Sequence, residues 1–182
     1  MKRRSMLRAT IAWTPVSLFE GTASAQPPNF FTQDVILNCL QFPATPMIIL
    51  RGEVVLGDPK LYFSPGMRRD TQNDYVWHVS GPYRGEHRGF TMSSVFAYSF
   101  LQGRPLGGKV GIGTVYADGV YWEFANAGGG AVFIRCLSDL DGPKWLEGRP
   151  DDGRTIRNTV GLATSTGAPS TKWRLTAPTG RY

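Results

Sequence analysis

Lys144-Trp145-Leu146-Glu147-Gly148-Arg149, followed by Val160-Gly161-Leu162-Ala163 and closed by Lys172-Trp173-Arg174-Leu175, sets out one unit that the chain writes three times. Its Leu-x-Gly also stands at Leu50-Arg51-Gly52 and Leu101-Gln102-Gly103, the three leucines lying 51 and then 45 residues apart. Its closing tryptophan also stands at Trp77 and Trp122, with spacings of 45 and then 51 residues on to Trp173. Between leucine and tryptophan comes an apolar-x-apolar step: Leu61-Tyr62-Phe63, Val110-Gly111-Ile112 and Val160-Gly161-Leu162. The first and third units keep 27 residues from leucine to tryptophan, and the second keeps 21. A repeat of this period decides the fold before any single residue does, because each copy buries its apolar face against its neighbours.

Outward from that unit, the third copy opens on Val132-Phe133-Ile134-Arg135-Cys136-Leu137 and the first on Val35-Ile36-Leu37-Asn38-Cys39-Leu40. The opening of the second, around Phe90-Thr91-Met92, does not align with either. With 22 glycines, 13 prolines and 12% aromatic residues, the composition suits short strands joined by tight turns. The units run over residues 33–80, 90–124 and 131–176, with 81–89 and 126–130 read as linkers, and each provides roughly four strands. Twelve short strands in three copies look like an all-β β-trefoil, a closed barrel with a cap of hairpins, which leaves no sheet edge exposed. A propeller of three blades is too small to close. An immunoglobulin-like sandwich gives no reason for three matching tryptophans.

The third copy, from Phe133-Ile134-Arg135-Cys136-Leu137 through Lys144–Arg149 to Trp173-Arg174-Leu175, resembles the repeats of ricin-B-like β-trefoil lectin domains over residues 33–176. The resemblance implies a barrel core built on the tryptophans and sugar binding in surface loops. Such lectins carry Gln two residues before the closing tryptophan. Here those positions are Tyr75, Val120 and Thr171, so all three copies lack the Gln-x-Trp signature.

The N-terminus reads as a targeting segment. Met1-Lys2-Arg3-Arg4-Ser5-Met6-Leu7-Arg8 is basic, and Thr22-Ala23-Ser24-Ala25 offers a small-x-small cleavage site. The Arg3-Arg4 pair resembles a twin-arginine export signal. Residues 1–25 are thus expected to be removed, 26–32 to be a flexible lead-in and 177–182 a loose tail, which makes the mature protein secreted or periplasmic. Residues 1–25 hold Lys2, Arg3, Arg4 and Arg8 against Glu20, so removing their net +3 from the formal +6 leaves +3. That charge is too small and too scattered to argue for nucleic acid. No other apolar run is long enough to span a bilayer. Cys39 and Cys136 are read as two buried free thiols, with a disulfide between them the alternative in an exported protein.

No constellation of catalytic residues stands out, and the protein is expected not to be an enzyme. Neither His78 nor His87 has metal-ligand spacing, and no cofactor is implied. Gly103–Lys109 lacks the Ser or Thr that a phosphate loop needs after its lysine. Function is expected in loops carried on a rigid barrel. Sugars are held by an aromatic face and by a carboxylate for the hydroxyls. Tyr62, Tyr75, Tyr83, Tyr121 and Trp145 supply faces, and Asp58, Asp118, Asp139 and Asp141 supply carboxylates. Asp139, Asp141 and Trp145 form the best set, because one connection and the next strand carry all three. Turn chemistry alone also accounts for the two aspartates. A glycan is the leading ligand. The alternatives are a protein partner met through Ser64–Asp74, as in a secreted protease inhibitor, whose Arg68-Arg69 suits a trypsin-like pocket, and a structural role with no small ligand.

Overall fold

The computed structural model describes residues 31–50, 52–57, 75–83, 89–95, 99–114, 117–151 and 158–178. Leu61-Tyr62-Phe63, Asp58, His87, the Ser64–Asp74 loop, the N-terminal segment 1–25 and the end of the tail lie outside them. The strands are β1 (Phe31–Cys39), β2 (Met47–Leu50), β3 (Glu53–Leu56), β4 (Val76–Tyr83), β5 (Gly89–Ser94), β6 (Phe100–Arg104), β7 (Lys109–Gly113), β8 (Tyr121–Gly128), β9 (Ala131–Cys136), β10 (Trp145–Arg149), β11 (Asn158–Ala163) and β12 (Trp173–Thr176). One turn of 3-10 helix, Pro169–Thr171, precedes β12.

Six strands pair antiparallel in a ring. β1 joins β4, β4 joins β5, β5 joins β8, β8 joins β9, β9 joins β12, and β12 returns to β1. The remaining six make the hairpins β2–β3, β6–β7 and β10–β11. β11 also pairs with β3 and β7, which brings the hairpins together. The chain is a β-trefoil.

The tryptophans mark its three-fold plan. Trp77, Trp122 and Trp173 are fully buried. Each indole N–H donates to a backbone carbonyl on the first strand of its own hairpin: Trp77 to Met47 at 2.9 Å, Trp122 to Leu101 at 3.0 Å and Trp173 to Leu146 at 2.9 Å. A buried indole needs such a partner, and the barrel supplies the same one three times.

These bonds correct the alignment of the first copy. The partner of Trp77 is Met47 and not Leu50, so Met47-Ile48-Ile49 matches Leu101-Gln102-Gly103 and Leu146-Glu147-Gly148. Gly52, with φ of 83°, turns the β2–β3 hairpin, whereas Gly103 and Gly148 sit inside strands. The registers Met47↔Leu56, Leu101↔Ile112 and Leu146↔Leu162 make Val54-Val55-Leu56 the first copy's apolar step, in place of Leu61-Tyr62-Phe63. The sequence pattern counted residues, whereas the barrel fixes distances in space.

The second copy's opening strand aligns as well. Cys39 lies opposite Trp173 and Cys136 opposite Trp122, and the residue opposite Trp77 is Ser94. Leu37, Met92 and Ile134, two residues earlier in each strand, are all fully buried. Serine in place of cysteine hid this equivalence. Three boundaries also differ from expectation. β1 begins inside the expected lead-in, at Phe31. β4 runs to Tyr83 and β8 to Gly128, so strands occupy part of both stretches read as linkers.

Both cysteines are free and buried. A side chain at Gly148 would place its Cβ 2.7 Å from the Cys39 sulfur, and one at Gly103 would place it 2.6 Å from the Cys136 sulfur. Each thiol therefore fills the space its glycine leaves. Burial pushes both thiol pKa values up, that of Cys136 to about 11.

Candidate functional site

Alternation along β10 sorts its residues. Leu146 and Gly148 are buried, while Trp145, Glu147 and Arg149 share the other face and are half-buried. Trp145 is thus a surface residue and Leu146 the core one. Arg149 donates from Nε to Glu147 at 2.9 Å and from its terminal nitrogen to the carbonyl of Leu162 at 2.7 Å. Ser170 Oγ donates to the other oxygen of Glu147 at 3.3 Å. The opposite strand makes room for this arrangement. A Cβ at Gly161 would lie 2.5 Å from the Arg149 guanidinium carbon, so only glycine lets that group rest across β11.

Beside Glu147 and Arg149 lies a depression of about 400 Å³, walled by Pro143, Ala163, Thr171 and the loop Thr164-Ser165-Thr166. The volume falls within the range of small-molecule sites. Its chemistry is a fixed carboxylate, a guanidinium, several hydroxyls and a few apolar surfaces. Trp145 borders it, since the residue paired with Trp145 on β11 is the wall residue Ala163.

Trp145 packs edge-on against Phe133, with ring centroids 6.1 Å apart, and the Arg135 guanidinium lies 5.8 Å from the Trp145 ring. The Lys172 ammonium stands 6.0 Å from the Phe133 ring. Arg135 also meets Glu123 at 3.6 Å.

Asp139 and Asp141 sit exposed in the loop between β9 and β10. That loop is organised by Ser138, whose hydroxyl donates to Asp118 and accepts from the Leu140 N–H, while its carbonyl accepts from Lys144 Nζ. The structure therefore puts the two aspartates just before the strand that carries Trp145, but the ring contacts of Trp145 are with Phe133 and Arg135. Of the other sequence candidates, Asp118 serves the Ser138 loop, Tyr83 and Tyr121 pack edge-on against each other at 6.1 Å, and Tyr75 is half-buried before β4. His78, half-exposed on β4, is 2.7 Å from the Asp34 carboxylate on β1.

Glu147, Arg149 and the hydroxyl loop were missed by sequence reasoning, yet a signal exists. Leu101-Gln102-Gly103-Arg104-Pro105 and Leu146-Glu147-Gly148-Arg149-Pro150 share Leu, Gly, Arg and Pro with Gln or Glu at one place. In the second copy Arg104 likewise lies over Gly111 and donates to Gln102 at 3.4 Å. Among the described residues, no group of three or more His, Cys, Asp or Glu could hold a metal ion, and no helix is long and apolar enough to cross a membrane.

No family model matches the chain, and no curated protein matches it in sequence. Solved structures match it in fold. A chain of the cytolethal distending toxin from Actinobacillus actinomycetemcomitans is similar with a TM-score of 0.61 and 18% identity, over 82% of this chain and 94% of that one. ThreeFoil, a designed three-fold symmetric protein, gives 0.55 and 13% over 80% and 99%. The ricin B-like lectin of Macrolepiota procera, solved in complex with lactose, gives 0.53 and 15% over 80% and 96%. At these identities the likeness is one of fold, and the β-trefoil is the architecture shared.

Proposed function

We propose that this β-trefoil is an exported carbohydrate-binding protein whose site lies in its third repeat. The observation that carries the reading is the depression beside Glu147 and Arg149 with Trp145 at its border. A sugar presents hydroxyls around its rim and C–H groups on its faces. The depression offers acceptors and donors for the first, and Trp145 offers a half-exposed aromatic surface for the second. Glu147 is held by Arg149 and Ser170 before any ligand arrives, which lowers the ordering cost of binding. The likeness to a lectin solved with lactose supports the ligand class.

Asp139 and Asp141 stand exposed in the loop just before the strand that carries Trp145. The role is binding and not catalysis. The basic Arg3-Arg4 leader and its small-x-small end support export and placement outside the cytoplasm.

The test is a glycan array probed with the parent chain and with Trp145→Ala and Glu147→Gln. Binding by the parent that both variants lose while staying folded supports the site. Binding unchanged in both variants moves the site elsewhere, and the absence of binding to any glycan class overturns the reading.

A further inference from the structure

Two cations stand on the aromatic pair beside the depression. In order of contact the row runs Arg135, Trp145, Phe133, Lys172, with steps of 5.8, 6.1 and 6.0 Å. The row adjoins the depression at Trp145, which pairs with the wall residue Ala163. A neutral sugar needs the rings and the Glu147 side but gives two full positive charges nothing of opposite sign to meet.

The acidic groups nearby do not consume these charges. Glu147 is already joined to Arg149 at 2.9 Å. Glu123 reaches Arg135 only at 3.6 Å, with both side chains about half exposed. Lys172 takes part in none of the ion pairs among the described residues. Its three N–H donors and most of the five on Arg135 remain available. Asp139 and Asp141 are exposed in the next loop and face solvent.

We propose that the glycan bound at this site is acidic: a sugar ring rests on the Trp145–Phe133 pair, its carboxylate or sulfate is met by Lys172, and Arg135 adds positive charge at the other end of the row. This rests on the carbohydrate reading above and narrows it. Hydrogen bonds between charged partners are about twice as strong as neutral ones and are directional, so the cations would select among glycans as well as hold them.

The experiment uses the full chain on an array of matched neutral, carboxylated and sulfated versions of the same glycan cores, at low and at raised salt. The expected result is a preference of about tenfold or more for the acidic members. Raised salt should shrink that preference, because the pair is partly exposed and screened. Lys172→Met should lower acidic-glycan binding to the level of the neutral core and leave neutral binding within about twofold, while Lys172→Arg retains the preference. Circular dichroism confirms that each variant is folded. Equal binding of neutral and acidic members, or an acidic preference that survives both Lys172→Met and Arg135→Gln, overturns this inference and leaves the carbohydrate reading standing. Binding to no glycan at all overturns both. The carboxylated and sulfated arms show which anion is preferred.

Discussion

The β2–β3 and β10–β11 hairpins hold equivalent places in the trefoil and face opposite ways in chemistry. Register puts Ile48 and Val55 of the first where Glu147 and Gly161 stand in the third. Ile48 is fully buried and Val55 is 4% exposed, whereas Glu147 is half-buried and lines the depression. The second hairpin lies between them, with neutral Gln102 paired to Gly111. All three keep the buried positions: Met47, Leu101 and Leu146 on the first strand, each with a tryptophan bonded to its carbonyl. A repeat therefore constrains its inward-facing residues alike and leaves the outward ones free to diverge. Among the described residues, only the third copy assembles a carboxylate, a guanidinium across a glycine and a hydroxyl loop.

The largest test of this comparison concerns what the copies share. Trp77→Ala, Trp122→Ala and Trp173→Ala should each destabilise the fold by about 3–5 kcal/mol in urea unfolding, from lost burial plus a cavity. If one of them costs under about 1 kcal/mol, that tryptophan is not equivalent to the others.

A second test uses the position where the copies differ inside the core. Gly148→Ala and Gly103→Ala drive a methyl into Cys39 and Cys136 respectively and should cost about 1–3 kcal/mol. At the matching place the first copy holds Ile49, so Ile49→Ala should destabilise by removing bulk and not by adding it. A stabilised Gly148→Ala would show that the glycine is not spaced for the thiol.

The thiols add a pH signature that Ser94, their counterpart in the second copy, lacks. The folded-state pKa of Cys136 is raised from 9.0 to about 11. A group raised on folding gives its full stabilisation below the unfolded value and loses it as pH climbs through the folded one. Stability should therefore fall between pH 9.0 and about 11. Cys136 accounts for about 1 kcal/mol of that fall by pH 10. Cys136→Ala should flatten the profile, and an unchanged profile would show that the thiol does not titrate this way.

The smallest effects separate the third hairpin from the second. Gly161→Ala displaces the Arg149 guanidinium and should cost about 1 kcal/mol with loss of glycan binding. Gly111→Ala meets Arg104 at an ordinary 3.6 Å and should be close to neutral. Glu147→Gln should change stability by under about 1 kcal/mol, since the ion pair is partly exposed, yet abolish binding. A folded Gly161→Ala that still binds would detach Arg149 from the site.

The repeat was legible because burial repeats: tryptophans, Leu-x-Gly and the cysteine strands are inward features, and the barrel demands them at each turn of its pseudo-axis. Where the pattern failed, polarity or length had changed without a change of place. Ser94 concealed the second opening strand, and the hairpin glycine Gly52 offered a false Leu-x-Gly three residues from Met47. Of the site, the sequence exposed Trp145 and its neighbours Asp139 and Asp141, because they lie close along the chain. Glu147 and Lys172 stood in quoted motifs without a role, and the Thr164–Thr166 loop carried no mark at all.

The sequence by itself determined a three-copy all-β chain with tryptophans in its core, because periodic burial is written residue by residue. Only the tertiary structure decided which leucine-like carbonyl each indole meets, that Arg149 lies across Gly161, and that Lys172 and Arg135 stand on one aromatic pair. Those facts depend on strands far apart in sequence lying side by side. A ring of six strands sets that adjacency through hydrogen-bond register, which no local pattern encodes.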